Sequence, residues 1–203
     1  MNKYQIIECI GWEEYRQVYK YKNTKTHVTV AIKTLWLQSD GDYGVPCLTI
    51  RKICLLKEID HPNVARLVNI FYNKSKTRVH LMFEYADMDL RKFMITNPVR
   101  ATDRRFIQNV LKQILRGVSC YHSIKVAHGN LNPFNVIINC ANLTAKIIDL
   151  DMTIHPSYKA PELLCDSFGT DVEVSRASDM FSIGCIFAEM LMKRPLYDAQ
   201  SEY

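Results

Sequence analysis

The chain has 203 residues, 48% apolar and 23% charged, with a formal net charge of +5. These proportions sit near the globular averages of about 45–50% and about 25%, which excludes a disordered or collagen-like chain. At ~100–200 residues per domain the length fits one large domain or two small lobes. Only seven glycines are present, where usage of ~7% would give about fourteen. That shortage bears on any function that needs a glycine-rich loop.

In chain order, the first third reads as strands. Tyr4–Ile10 carries Ile6, Ile7 and Ile10, and Gln17–Tyr21 and Val28–Thr34 pair across the polar turn Lys22-Asn23-Thr24-Lys25. A polar loop with Gly41 and Gly44 leads to a helical pattern from Cys47 to Ile59, ended by Asp60-His61-Pro62, because proline cannot continue a helix. Ala65–Tyr72 and Val79–Tyr85 fit two more strands. The remainder is mainly helical. Arg104–His122 places apolar residues at Phe106, Ile107, Val110, Leu111, Ile114, Leu115 and Val118, an amphipathic helix. Asn135–Asn139 and Ala145–Leu150 read as a short strand pair, and Ser178–Met192 as a helix buried on nearly every side. A strand-rich part of 1–85 thus precedes a helix-rich part of 86–203. The expectation is two lobes with a ligand cleft near Phe83–Asp89.

The N-terminus lacks the pattern of a signal peptide, and no apolar run reaches the ~18 residues of a membrane span. The seven cysteines form no Cys-x-x-Cys pair and mostly lie in apolar sequence. They are expected to be reduced, buried thiols of a nuclear or cytoplasmic protein. Residues 1–100 hold 16 Lys/Arg and 10 Asp/Glu, against 10 and 11 in residues 101–203. The basic residues are scattered, so no nucleic-acid module is indicated.

Several segments then match one family in order. Ile10-Gly11 with Val18-Tyr19-Lys20, Val30-Ala31-Ile32-Lys33, His128-Gly129-Asn130-Leu131-Asn132-Pro133-Phe134-Asn135, Asp149-Leu150-Asp151 and Ala160-Pro161-Glu162 resemble the protein-kinase signature set. Gly44-Val45-Pro46-Cys47-Leu48-Thr49-Ile50-Arg51-Lys52 is similar to the Pro-Ser-Thr-Ala-Ile-Arg-Glu helix of cyclin-dependent kinases, and Lys92-Phe93-Met94 with Asn97-Pro98 looks most like the plant A-type branch. The resemblance runs over essentially the whole chain. It implies an α+β, bilobal kinase-like fold, with a small β-rich N-lobe and a helical C-lobe lacking several C-terminal helices. A partner covering that truncated C-lobe is expected.

The resemblance also implies a site for ATP and Mg²⁺. Ala31, Val18 and Ile137 would sandwich the base, Phe83 would back it, the backbone of Glu84–Ala86 (Glu84, Ala86) would hydrogen-bond it, and Asp89 would meet the ribose. Gly11 and Lys33 would hold phosphates, and Asn135 and Asp149 the metal. Each also has a plain reading: Val18, Ala31, Phe83 and Ile137 as packing residues, Lys33 as a strand lysine, Asp149 and Asp151 as solvated loop acids.

Against the family pattern the losses are concentrated. The glycine loop reads Gly11-Trp12-Glu13-Glu14-Tyr15-Arg16, the glutamate partner of Lys33 is Lys52, and the glycine after the metal aspartate is Asp151. The catalytic proton acceptor is Asn130, the neighbouring lysine is Asn132, and the arginine that would read a phosphorylated loop is Gly129. Asp149 and Glu162 are 13 positions apart, far short of a full activation loop. The sequence therefore suggests an inactive cyclin-dependent-kinase-like protein that works by binding a nucleotide, a cyclin through the Pro46–Lys52 region, or another partner. A weakly active Ser/Thr kinase and a decayed gene product are the alternatives.

Overall fold

The computed structural model describes residues 3–13, 16–36, 47–73, 78–148, 155–164 and 174–197. The chain divides into two compact units, one of Met1–Asp60 with Ala65–Tyr85, the other of His61–Val64 with Ala86–Tyr203.

The first unit is a five-stranded antiparallel sheet in the order β1-β2-β3-β5-β4, built from β1 (Tyr4–Glu13), β2 (Arg16–Asn23), β3 (Thr29–Trp36), β4 (Leu67–Asn73) and β5 (Arg78–Glu84). Helix α1 (Cys47–Glu58) contacts β4. The β2–β3 connection is fixed by Asn23, whose Oδ1 accepts from the Lys25 and Thr26 amides at 2.9 and 3.1 Å. Strand alternation sends Val30 and Ile32 to one face, where they form a core with Met82 beneath Tyr4, Tyr21 and Phe71. Ala31 and Lys33 therefore point to the other face. The strand signal over Tyr4–Ile10 is met, but Ile6, Ile7 and Ile10 are exposed. They lie on an edge strand whose register shifts between Ile6/Glu8 and Cys9/Gly11, and such irregularities blunt an open edge.

The second unit holds a three-stranded sheet of β6 (Met88–Asp89), β7 (Val136–Asn139) and β8 (Thr144–Ile147), with helices α2 (Leu90–Thr96), α3 (Pro98–Ala101), α4 (Arg104–Ser123), α5 (Pro161–Leu164) and α6 (Arg176–Met192). Helix α4 begins where Asp103 accepts from the Arg105 and Phe106 amides, satisfying donors that the first turn cannot. It buries Phe106, Ile107, Val110, Ile114, Val118 and Tyr121. Gly117 lets it approach β8: a Cβ there would lie 2.6 Å from the Asn63 carbonyl oxygen and 2.8 Å from Ile147 Cδ1. Asn63, just after the predicted helix stop, is a hub. Its Nδ2 donates to Gln113 Oε1 and the Ala145 carbonyl, and its own carbonyl accepts from the Ile147 amide.

Two expectations are corrected. Helix α6 is not buried all round: Met180, Phe187 and Leu191 are exposed, while Ser178, Asp179, Ser182 and Glu189 are buried beside Ile183, Ile186 and Met190. Apolar residues occupy both faces of this helix, so hydrophobicity alone did not reveal that its inner stripe is partly polar and hydrogen-bonded. Nor are the cysteines generally buried. Cys9 and Cys54 are exposed, Cys120 and Cys140 half-buried, and Cys185 alone is buried among the described residues. Cys9 falls on the open edge strand β1, whose sequence is apolar but whose surroundings are solvent. No helix among the described residues is long and apolar enough to cross a membrane.

Candidate functional site

In the first unit, sheet register gathers the candidate residues. Val18 pairs with Lys33, Lys33 with Leu81, and Ala31 with Phe83. Directly opposed residues share a face, and Ala31 and Lys33 are two apart on one strand. Val18, Ala31, Lys33 and Phe83 therefore lie on one face, away from the Val30–Ile32–Met82 core. Gly11 is opposite Val18 in the next strand. Lys33, Ala31 and Phe83 are buried. The Glu84 amide donates to the Arg66 carbonyl at 3.2 Å, and Glu84 Oε1 accepts from the Arg66 amide at 2.7 Å. Beside them Lys20 donates to Glu8 Oε1 at 2.9 Å and lies 4.5 Å from the Tyr85 ring centroid. Hydrogen bonding to Tyr85 and then Glu8 raises the Lys20 pKa well above its ordinary value.

In the second unit, Asp89 on β6 is paired with Ile137 on β7, which places two of the nucleotide candidates side by side. The Asp89 carboxylate already caps α2, accepting from the Lys92 amide at 2.7 Å. Burial raises its pKa, with the Lys92 amide opposing. Ala86 is half-buried just before this sheet.

Asn130, Asn132 and Asn135 form a hydrogen-bonded network. Asn132 Nδ2 donates to Asn130 Oδ1 and to the Asn130 carbonyl, each at 3.1 Å. Asn132 Oδ1 accepts from the Phe134 and Asn135 amides. Asn135 Nδ2 donates to the Asn130 carbonyl at 2.8 Å, which fixes that amide and turns its Oδ1 the other way. All three are buried. The segment is held from α6 by Asp179, which accepts from the His128 amide and the Gly129 amide, each at 2.8 Å, and lies 2.8 Å from His122 Nε2. Gly129 takes φ +77°, and a Cβ there would lie 2.8 Å from Val174 Cγ1. The role of His122 as a third partner of Asp179 left no signal in the sequence beyond its place in the last turn of α4.

Asp149, Leu150 and Asp151, the side chains of Lys52, Trp12, Glu13 and Arg16, and Glu14 and Tyr15 lie outside the described residues. Among the described residues no group of three or more His, Cys, Asp or Glu could hold a metal. The Asn135 side chain offers an amide oxygen, a hard donor of the type that Mg²⁺ takes. Val18, Ala31 and Phe83 make an apolar face of the sheet, with the Lys33 side chain on the same face.

The family model for the protein kinase domain matches residues 4–203. The chain belongs to the protein kinase domain family, and its α+β architecture, with a five-stranded antiparallel sheet in the first unit, is that of the family. Domains of this family generally bind ATP and Mg²⁺.

Proposed function

We propose that the protein is a cyclin-dependent-kinase-like pseudokinase, which retains the kinase scaffold and acts by binding a nucleotide, a cyclin or another protein in place of phosphoryl transfer. One observation carries this reading. At the position where the family places its proton acceptor stands Asn130, and its Oδ1 already accepts a hydrogen bond from Asn132, which replaces the family's lysine. An amide pair stands where the family has a carboxylate base and a lysine cation. A neutral amide oxygen cannot take up the proton of an attacking hydroxyl, and loss of a general base typically costs about 10²–10⁴ in rate.

Other features agree. The spacing of 13 residues between Asp149 and Glu162 leaves little chain for an activation segment, and Lys52 would repel Lys33 where the family uses an ion pair. When bound, Mg-ATP would supply the transferable phosphoryl group. This chain's own residues would bind its base and fix its phosphates through Lys33, with Asn135 offering one oxygen to the cation. On the cyclin side, Ile50 of α1 is 47% exposed and offers an apolar contact.

The test is phosphate transfer from radiolabelled ATP to a basic Ser/Thr-Pro peptide, run beside a thermal-shift titration with Mg-ATP. The expected result is no transfer above an Asp149→Asn control. Transfer that the Asp149→Asn change abolishes would show an active kinase and overturn the proposal.

A further inference from the structure

A groove of about 870 Å³ lies on the second unit, away from the asparagine network. Its apolar surface comes from Pro98, Val99, Phe106 and Leu143, and Arg100 and Arg105 stand among its lining residues. Val99 is 85% exposed and Ile95 of α2 is 64% exposed. A scattered exposed valine needs no explanation, but one that lines a concave apolar surface does.

The groove is held in shape. Leu143, in the β7–β8 turn, takes φ 55°, a left-handed conformation that costs a non-glycine residue about 1–2 kcal/mol. It is fixed there by α4: its carbonyl accepts from Gln113 Nε2 at 3.0 Å and from Asn109 Nδ2 at 3.4 Å. Gln113 is itself held, its Oε1 accepting from the Ala145 amide and from Asn63.

The charge around the groove is predominantly positive, with Asp103 the one acid among its lining residues. Residues 90–116 contain seven Lys/Arg and a single acid, Asp103, a net +6 where the whole chain has +5. Asp103 is occupied in capping α4, and Arg91 is paired with Glu189. Among the described residues, Arg100, Arg104, Arg105, Lys112 and Arg116 have no ion-pair partner. A second, shallower apolar strip on α4, at Leu111 and Leu115, again has Lys112 and Arg116 beside it.

We propose that this face is a docking site for an acidic peptide segment of a partner protein, one that carries bulky aliphatic residues between its carboxylates. The aliphatic side chains fill the groove over Val99 and Leu143, and the carboxylates meet Arg100 and Arg105. Charge complementarity selects the acidic partner and speeds encounter. The groove's one aromatic, Phe106, is buried, so the site offers no exposed ring on which a nucleic-acid base could stack.

The probe is a fluorescein-labelled peptide of about 12 residues with two leucines among glutamates, titrated with the full chain and read by fluorescence anisotropy. Saturable binding is expected, weakened several-fold when NaCl rises from about 50 to about 500 mM. Arg100→Glu with Arg105→Glu, and separately Val99→Asp, should each weaken it by about tenfold or more. All three residues are exposed, so thermal melting should be unchanged. The double charge reversal should also bind a lysine-for-glutamate version of the peptide better than the native chain does, a gain that an unfolded variant could not show. The proposal is overturned if the native chain does not bind the acidic peptide, if leucine-to-serine peptides bind equally well, or if a single-stranded oligonucleotide of the same length binds more tightly.

Discussion

Tyr158 and Glu189 are joined by a 2.5 Å hydrogen bond, the phenol donating to Glu189 Oε2, while Arg91 Nη1 donates to Oε1 of the same carboxylate. The Glu189 side chain is fully buried, and the Arg91 side chain keeps 30% exposure. One buried carboxylate thus ties α2, the Pro156–Tyr158 turn and α6 together. Breaking a buried pair by removing one partner typically costs about 3–5 kcal/mol. The partial exposure of Arg91 lowers the expectation for Arg91→Ala to about 2–3 kcal/mol after solvent screening. Tyr158→Phe removes a hydrogen bond to a charged group and should cost about 1.5–3 kcal/mol. Urea denaturation of both variants checks this, and a loss under about 0.5 kcal/mol in each would show that the triad does not hold these elements together.

The same phenol sets an alkaline limit. Burial, and then the hydrogen bond to Glu189, raise the Tyr158 pKa far above its ordinary value of 10.0. Below pH 10 the phenol is protonated in both folded and unfolded chains, and its contribution is fully present. Above pH 10 the unfolded chain releases the proton and the folded chain does not, so stability falls as pH rises. Tyr158→Phe should make that decline shallower in a series of denaturation curves across this range. A residual slope is expected from Tyr21, whose pKa burial also raises.

His80 acts at the opposite end. Its Nδ1 lies 2.8 Å from Thr34 Oγ1, and burial, with Arg78 adding, lowers its pKa from 6.5. A lowered folded value means that stability is present above pH 6.5 and is lost as pH falls through the folded value, since the unfolded chain takes up the proton first. The stability difference between the native chain and His80→Gln should shrink as pH falls below 6.5. A difference that stays constant or widens would show that this imidazole is not held neutral by the fold.

Two helix glycines should respond in opposite directions to alanine. At Gly117 a Cβ meets the Asn63 carbonyl oxygen at 2.6 Å, which is backbone and cannot swing aside. Overpacking of this kind costs about 1–3 kcal/mol. At Gly184 no described atom lies within 4 Å of the added Cβ, so Gly184→Ala should gain about 0.5–1 kcal/mol from helix propensity alone. Thermal unfolding of the two variants settles both signs.

The strands and helices that carry a clear period were legible in the sequence, and so was the place of Lys33 in one of those strands. What escaped was set by partners distant in sequence. The short helix Leu90–Thr96 begins at Asp89 because that carboxylate caps it, a use that a lone acid before a leucine does not announce. The polar stripe of α6 is buried because Tyr158, Arg91, His122 and the His128–Gly129 amides meet it. Ile6, Ile7 and Ile10 marked a strand, but an apolar strand pattern does not report a place at a sheet edge, where all three are exposed. The resemblance to kinases sets Asn130 and Asn132 against a family aspartate and lysine, but gave no sign that the two asparagines bond to each other.

That bond shapes the last prediction. Asn130→Asp keeps an oxygen where Asn132 Nδ2 donates, and a carboxylate accepts such a bond more strongly than an amide does. The variant therefore keeps this bond, although a buried carboxylate replaces the amide. On the proposed reading, phosphate transfer should stay at the native chain's level even when Lys52→Glu is added, because Asp149 and Glu162 remain 13 positions apart and Asn132 supplies no cation for the transferring phosphate. Effects inside one catalytic unit are not additive, so restoring two members need not recover the rate of either. The measurement is radiometric phosphate transfer by the doubly reverted chain, with folding checked by circular dichroism. Transfer about 10²-fold above the native chain would show that the missing base was the main lesion, and that the short activation segment costs less than the family pattern implies.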